Sequence, residues 1–159
     1  MTKAQPMQVT TPNDLEIEMT RDFSAPRHLL FRAYTDPTLI PKWWGLRNHT
    51  TTVDKMDVRP GGGWRYVCRD QDGNVFAFRG EYREVVPPSK LVYTFEFEPM
   101  AGHVMTETIL FEEKGRTTRV TTRSAFTSKE DRDGMIASGM EQGATESCER
   151  LDELLATLS

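Results

Sequence analysis

The sequence has few of the cysteine and histidine residues from which disulfide frameworks and metal centres are built. Its 159 residues include only two cysteines, Cys68 and Cys148, which stand far apart and in no CxxC pattern. We therefore expect no disulfide framework, and two small buried side chains in a reducing compartment. The three histidines, His28, His49 and His103, do not have the spacing of a zinc motif, so we expect no metal site.

Long apolar runs and clusters of positive charge are missing as well. No segment approaches the roughly 20 apolar residues of a transmembrane helix, and the polar start MTKAQPMQVTTPND lacks the apolar centre of a signal peptide. Lys and Arg are scattered through a chain of net charge -4, so we expect no nucleic-acid partner. Because no long apolar run is present, we also expect no membrane span. These absences predict a cytoplasmic chain with a flexible N-terminal tail over residues 1–12 and a single domain over residues 13–159.

Phosphate-binding loops are also lacking. The glycine-rich segment RPGGGW does not have GxGxxG spacing, and it joins two predicted strands. We interpret it as a tight turn, and we expect no cofactor.

Alternation of apolar and polar residues dominates the chain up to Phe126. It predicts a first strand in DLEIEMTRDF and about six further strands, which are separated by short turns such as DQDGN and KGR. Two short helices are predicted after the first strand. Ser24 is expected to cap the helix RHLLFRAY, and Asp36 a second helix in which Pro41 causes a kink or a division into two short turns.

The C-terminal part of the chain changes to helical periodicity. We predict one long amphipathic helix from Ser128 to Leu158, with Ser128 as its cap and Asp131 in the capping-box position. The apolar stripe that should face inward consists of Ile136, Met140, Ala144, Cys148, Leu151, Leu155 and Leu158. One helix can cover so many strands only if the sheet curves around it. The sequence therefore predicts an α+β fold in which a curved antiparallel sheet wraps around a long C-terminal helix.

Four segments resemble the bacterial homologues of the activator of heat shock protein 90 ATPase. They are FSAPRHLLFRAYTDPTLIPKWWG, DVRPGGGWRYVCRD, GEYREVVPPSKLVYTFEF and GMEQGATESCERLDELL. The resemblance covers nearly all of residues 14–158 and implies the helix-grip fold of the START-like, or SRPBCC, superfamily, which includes lipid carriers, polyketide cyclases and hormone receptors. Pro41 departs from the family pattern. The chain has no room for the separate domain with which the eukaryotic activator grips the chaperone, so a chaperone partner is not expected.

A cavity is expected where helix and sheet separate, and a fully packed core is the alternative. Gly139 and Gly143 share one face of the predicted helix and leave room beside the sheet. Trp43 and Trp44 cannot both face one layer, so one should pack in the core while the other lines the rim of the cavity or packs on the neighbouring helix. The residues expected to contact a ligand are Trp44, Trp64, Tyr66, Phe78, Tyr93, Phe95, Met105, Glu107, Met140 and Gly143.

Glu107 is the first candidate for acid–base chemistry. It shares a strand face with Met105 and Ile109. If that face is the inner one, its carboxyl points into the cavity with a raised pKa and can act as an acid or base. Arg79 or Arg123 could pair with it if either points inward. The alternative is a Glu107 that lies near a strand end in contact with solvent.

Three functions are compatible with this sequence. The first is binding of a small hydrophobic or aromatic ligand by a carrier or sensor. The second is an acid–base enzyme of the polyketide cyclase or hydrolase kind that uses Glu107 or Tyr66, and the third is a protein-interaction module of the cochaperone kind. An apolar pocket with one or two hydroxyls would favour the carrier. A pocket with convergent ionisable groups would favour the enzyme, and an exposed apolar patch would favour the interaction module. Whether the chain forms a homodimer is left open.

Overall fold

A computed structural model describes residues 7–158 of the chain. The strands are β1 (Gln8–Asn13), β2 (Glu16–Phe23), β3 (Thr50–Met56), β4 (Gly63–Arg69), β5 (Val75–Val86), β6 (Lys90–Phe97), β7 (Met105–Lys114) and β8 (Thr117–Ala125). The helices are α1 (Arg27–Thr35), α2 (Ile40–Trp43), α3 (Lys129–Ala137) and α4 (Met140–Leu158), and a 3-10 turn covers Glu98–Met100.

All eight strands form one antiparallel sheet in the order β1-β2-β8-β7-β6-β5-β4-β3. Most neighbours are consecutive in the chain and join through short turns, whereas β2 pairs with β8. That pairing brings the two ends of the domain together. The sheet curves around α4, with α1 and α2 beside it, and this arrangement confirms the predicted α+β helix-grip fold.

The N-terminal segment differs from the expected tail. Residues Gln8–Asn13 form β1, which pairs with β2, and Val9 lies opposite Met19. Val9 also packs against a small apolar cluster built on Ile17, Met105 and Phe126. The segment QVTTPN has no clear apolar alternation, so its pairing depends on the free edge that β2 offers. The first six residues of the expected tail lie outside the described residues.

The helix start signals are partly confirmed. Pro26, and not Ser24, precedes α1, and no side chain caps that helix. Asp36 accepts a hydrogen bond from the Thr38 backbone N–H at 2.9 Å and so holds a first turn, and α2 follows with Pro41 in its own first turn. This is the division into two short turns that was predicted as an alternative to a kink.

The predicted C-terminal helix is two helices. Ser128 caps α3 by accepting a hydrogen bond from the Asp131 N–H at 3.1 Å, as predicted. The chain then breaks at Gly139, whose φ is +83°, a conformation in which a helix cannot continue. Ile136, predicted to face inward, is 44% exposed because it precedes this break.

Two polar residues of α4 fix the loop that follows α2. The Arg150 guanidinium donates to the backbone carbonyls of Gly45 and Leu46 at 2.9 and 3.2 Å. Ser147 Oγ accepts from the Gly45 N–H and donates to the Gly45 carbonyl, both at 3.1 Å. These contacts hold Trp44 beside the sheet. None of the helices in the part of the chain that the structure describes has the length and apolarity needed to cross a bilayer.

Candidate functional site

A cavity of about 580 Å³ lies between the inner face of the sheet and the N-terminal half of α4. Strand β2 and strands β4 to β8 form its floor, and α3 and the loop after α2 form part of its rim. Aromatic, methionine and aliphatic side chains make up most of the wall. The space arises because α4 begins at Met140, and Gly143 and Ala144 leave its first turns without bulk facing the sheet.

Eight of the ten residues predicted to contact a ligand line this cavity. They are Trp44, Phe78, Tyr93, Phe95, Met105, Glu107, Met140 and Gly143. Trp64 and Tyr66 do not line it, because they lie deeper in the sheet beside a second, smaller space. Gly139, expected on the same helix face as Gly143, lies in the break between α3 and α4.

The adjacent tryptophans have different environments. Trp43 is only 4% exposed, and its indole N–H donates to the Ala33 carbonyl at 2.9 Å. Trp44 is half-buried, with its ring edge-on to Tyr66 and Phe78 at centroid distances of 5.1 and 5.0 Å. Both rings reach the cavity, but Trp43 is the buried core residue and Trp44 the more exposed residue at the cavity. Trp44 already has extended backbone after α2, so helical spacing alone could not assign the two roles.

Glu107 points inward from the middle of a cross-strand row. Tyr93 on β6 and Ser124 on β8 are its direct partners on either side. The Tyr93 hydroxyl donates to Glu107 Oε2 at 3.0 Å, and Ser124 is hydrogen-bonded to the same carboxyl. Burial raises the pKa of Glu107 to about 7, although both hydrogen bonds act in the opposite direction. The carboxyl can therefore gain and lose a proton near neutral pH.

The arginines predicted as partners of Glu107 lie on the outer face of the sheet. Arg79 pairs with Glu96 at 2.8 Å, and Arg123 pairs with Glu18. Both arginines are offset by an odd number of residues from the inward positions of their own strands, so the pleat turns them to solvent. Glu107 has hydroxyl partners in place of a salt bridge.

Two inward polar residues were not predicted from the sequence. Ser124 follows the inward positions Thr118 and Val120 at period two. Arg21 likewise falls among the inward apolar residues of β2, where it is buried, pairs with Asp152 of α4 at 2.6 Å and lies over the Phe23 ring. The alternation places both residues on the inner face, but that face is recognised by its apolar residues, and a polar residue at such a position carries no signal of its own.

The second space is a chamber of about 90 Å³ beside the cavity. All four tyrosines and all three tryptophans of the chain line it, together with Ile40, Phe95 and Glu107. We refer to it as the aromatic chamber. The hydroxyls of Tyr66 and Tyr82 are hydrogen-bonded to each other, and burial raises the pKa of Tyr82 to about 12 and that of Tyr66 well above its ordinary value. Tyr66 therefore stays protonated near neutral pH and is not a base there.

The cysteines and histidines add no metal centre to this site. Cys68 and Cys148 both line the cavity, and burial raises the pKa of each thiol, that of Cys148 to about 11. Both are therefore thiols and not reactive thiolates. Within residues 7–158, no three His, Cys, Asp or Glu side chains are grouped so that they could hold a metal ion.

Comparison with known proteins gives a family and several similar structures. The family model described as Activator of Hsp90 ATPase homolog 1-like protein matches residues 24–156. A protein from Rhodobacter sphaeroides has a similar structure, with a TM-score of 0.90, 25% identity, and coverage of 96% of this chain and 100% of that one. Protein Ms6760 from Mycobacterium smegmatis is similar at a TM-score of 0.85 and 28% identity, covering 94% of this chain and 97% of its own.

A more distant similarity concerns fold alone. An HSP90 activator from Plasmodium falciparum aligns at a TM-score of 0.53 and 22% identity, over 70% of this chain and 72% of that one. A comparison with curated proteins finds no significant match.

Proposed function

Because the chain belongs to the family of Activator of Hsp90 ATPase homolog 1-like proteins, we propose that it binds a small hydrophobic or aromatic ligand between sheet and α4, as a carrier or sensor. The observation that carries this proposal is the cavity of about 580 Å³. Ligand pockets commonly have volumes of about 300–1,000 Å³, mostly apolar walls and a few polar groups. This cavity has such a wall, with Tyr93, Glu107 and Ser124 as a polar group in its floor.

The apolar wall supplies the driving force. Burial of apolar surface contributes roughly 25 cal/mol per Å², so a ligand that buries about 300 Å² gains about 7.5 kcal/mol before the cost of association. The charge of Arg21 is balanced by Asp152, so we expect the neutral and weakly acidic groups of Tyr93, Glu107 and Ser124 to select among apolar ligands.

Glu107 favours acid–base catalysis as a second candidate function. A carboxyl whose pKa is about 7 can act as an acid or a base near neutral pH. Tyr93, hydrogen-bonded to it, could orient a reacting group. Turnover of a bound ligand that Glu107→Gln abolishes would support this function, whereas release of the unchanged ligand would support the carrier.

The similarity to the HSP90 activator is one of fold, and we propose no chaperone partner from it.

Native mass spectrometry of gently purified protein tests ligand binding. We expect an added mass that organic solvent releases, or one acquired from a mixed panel of fatty acids, flavonoids and polyketides. Gly143→Leu should reduce uptake, because Gly143 lines the cavity and its side chain would enter the space beside Leu46. Gly134→Leu is the matched control, since Gly134 lies exposed on α3 with no atom within 4 Å of an added Cβ. A bare mass under all conditions would contradict the proposal.

A further inference from the structure

The aromatic chamber contains a buried donor that the protein does not satisfy. The Trp64 side chain lines the chamber and is 3% exposed. Its indole N–H is buried and has no hydrogen-bond acceptor among residues 7–158. Buried donors are nearly always paired with protein, water or ligand, because an unpaired one costs roughly 1–3 kcal/mol. The acceptor for Trp64 is therefore a water molecule or an oxygen of a bound ligand.

The position of this indole depends on Gly80. A Cβ on Gly80 would lie 2.5 Å from Trp64 Nε1 and 1.8 Å from the Thr94 carbonyl oxygen. Glycine thus lets the nitrogen edge of the indole lie directly against β5. Trp64 and Gly80 are cross-strand partners, so the register fixes the indole over Gly80.

The chamber is a direct neighbour of the ligand cavity. The two spaces adjoin each other, because six residues line both of them: Tyr34, Trp43, Trp44, Tyr93, Phe95 and Glu107. The volume of about 90 Å³ corresponds to roughly three water molecules in the liquid. That is room for the small polar end of a molecule and not for its apolar body.

We propose that the aromatic chamber is a head-group subsite of the ligand cavity. It takes a neutral oxygen of the ligand, from a hydroxyl or a carbonyl group, and this oxygen accepts the hydrogen bond of the Trp64 N–H. The apolar body of the ligand occupies the larger cavity. The proposal rests on the proposed function and specifies the class of ligand. A ligand hydroxyl would also meet the tyrosine hydroxyls and the Glu107 carboxyl that line the chamber.

Charged head groups fit this chamber less well. A carboxylate would lie beside Glu107, where two like charges in a space of low polarity repel each other. An ammonium group would be attracted by Glu107 and the aromatic rings, but it has only donors and would leave the Trp64 N–H unpaired. A neutral oxygen satisfies the donor and carries no charge into the protein interior.

The test compares ligands that share one apolar body and differ in the head group. Binding of pentylbenzene, para-pentylphenol, para-pentylbenzoic acid and para-pentylbenzylamine to the full chain is measured by calorimetry at neutral pH. We expect para-pentylphenol to bind about five- to tenfold more tightly than pentylbenzene, the size of effect that one buried hydrogen bond gives. Trp64→Phe removes the donor and keeps an aromatic ring, and it should bring the two affinities together.

Phe31→Leu is the control for a loss of core packing. Phe31 is 8% exposed and lines neither space, so its replacement should lower stability and leave the preference for the phenol unchanged. If Trp64→Phe fails to fold, the proton NMR signal of the Trp64 indole N–H in the unmodified protein provides the test. It should shift downfield with para-pentylphenol and much less with pentylbenzene.

The outcomes separate the two proposals. Equal binding of pentylbenzene and para-pentylphenol would overturn the head-group subsite and leave the ligand cavity supported, with water as the partner of Trp64. Tightest binding of the amine or of the acid would also overturn the subsite as assigned. Failure of all four compounds to bind would count against both proposals.

Discussion

Tyr93 and Glu107 are direct cross-strand partners, and the Tyr93 hydroxyl donates a hydrogen bond of 3.0 Å to Glu107 Oε2. Burial and hydrogen bonding act on the carboxyl in opposite directions, because burial disfavours its charge and the donated bonds favour it. Burial dominates, and the pKa is raised from 4.5 to about 7. Among residues 7–158, Glu107 is the acidic group that faces both the cavity and the aromatic chamber, and its charge changes near neutral pH.

The stability of the fold should depend on pH through Glu107. Below pH 4.5 the carboxyl is protonated in both the folded and the unfolded chain. Between pH 4.5 and about 7 the unfolded chain ionises while the folded chain keeps its proton, so the free energy of unfolding falls as pH rises. The shift corresponds to about 3 kcal/mol in total.

Glu107→Gln isolates this contribution. The contributions of the other carboxyls to the free energy of unfolding are the same in both proteins, so they cancel when the two pH profiles are subtracted. Asp22 and Asp36, for example, have lowered pKa values through their hydrogen bonds and change stability in the opposite sense. Urea denaturation between pH 4.5 and about 7 should show that the free energy of unfolding falls with rising pH in the unmodified protein but not in the variant. Parallel pH profiles for both proteins would mean that Glu107 is solvated in the folded state.

Removal of the Tyr93 hydroxyl should raise the pKa of Glu107 further. Tyr93→Phe takes away a bond that favours the charged carboxylate and leaves the burial unchanged. Carboxyl-carbon NMR titration of Glu107 measures the change directly. Tyr82→Phe is the control, since the Tyr82 hydroxyl is paired with Tyr66 and its loss should leave the Glu107 titration in place. An unchanged or lower pKa in Tyr93→Phe would contradict the assigned hydrogen bond.

Arg150 should be important for the loop that carries Trp44. Its guanidinium donates to the carbonyls of Lys42, Gly45 and Leu46, a forked geometry that lysine cannot reproduce. Arg150→Lys should lower the free energy of unfolding by about 1–3 kcal/mol. Arg47→Lys is the matched control, because Arg47 forms an exposed pair with Glu153, and such pairs contribute at most about 1 kcal/mol. Equal effects in chemical denaturation would show that the fork around Arg150 contributes little.

Much of the fold could be predicted because periodicity reports directly on burial. The inward face of β7 followed from Met105, Ile109 and Phe111, and all three are buried. The break between α3 and α4 could not be predicted, because Gly139 interrupts an apolar pattern that continues in phase on both sides. Strand β1 was missed for a different reason, since its pairing depends on the edge of β2 and not on its own sequence pattern.

The site was less predictable, because alternation gives the face of a strand and not the depth of a residue in a curved sheet. Trp64 and Tyr66 face inward as expected, yet they lie beside the aromatic chamber and not the larger cavity. Glu107 also faces inward, but its partners come from neighbouring strands whose register only the structure gives. The convergence of all the tyrosines and tryptophans on one small space has no signal in the linear sequence.

Gly139 and Gly143 stand four residues apart, and alanine at these two positions should have opposite effects on stability. Gly139 has a φ of +83°, which an alanine adopts only with strain of about 1 kcal/mol. Gly143 is helical, and an added Cβ would lie 3.8 Å from Leu46 Cδ2, an ordinary contact. Gly143→Ala should therefore raise the free energy of unfolding by about 0.5–1 kcal/mol through better helix propensity, and Gly139→Ala should lower it. Chemical denaturation of the two variants measures both effects. A stabilised Gly139→Ala would indicate that α3 and α4 form one continuous helix in solution, and a destabilised Gly143→Ala would indicate that no open space lies beside that turn.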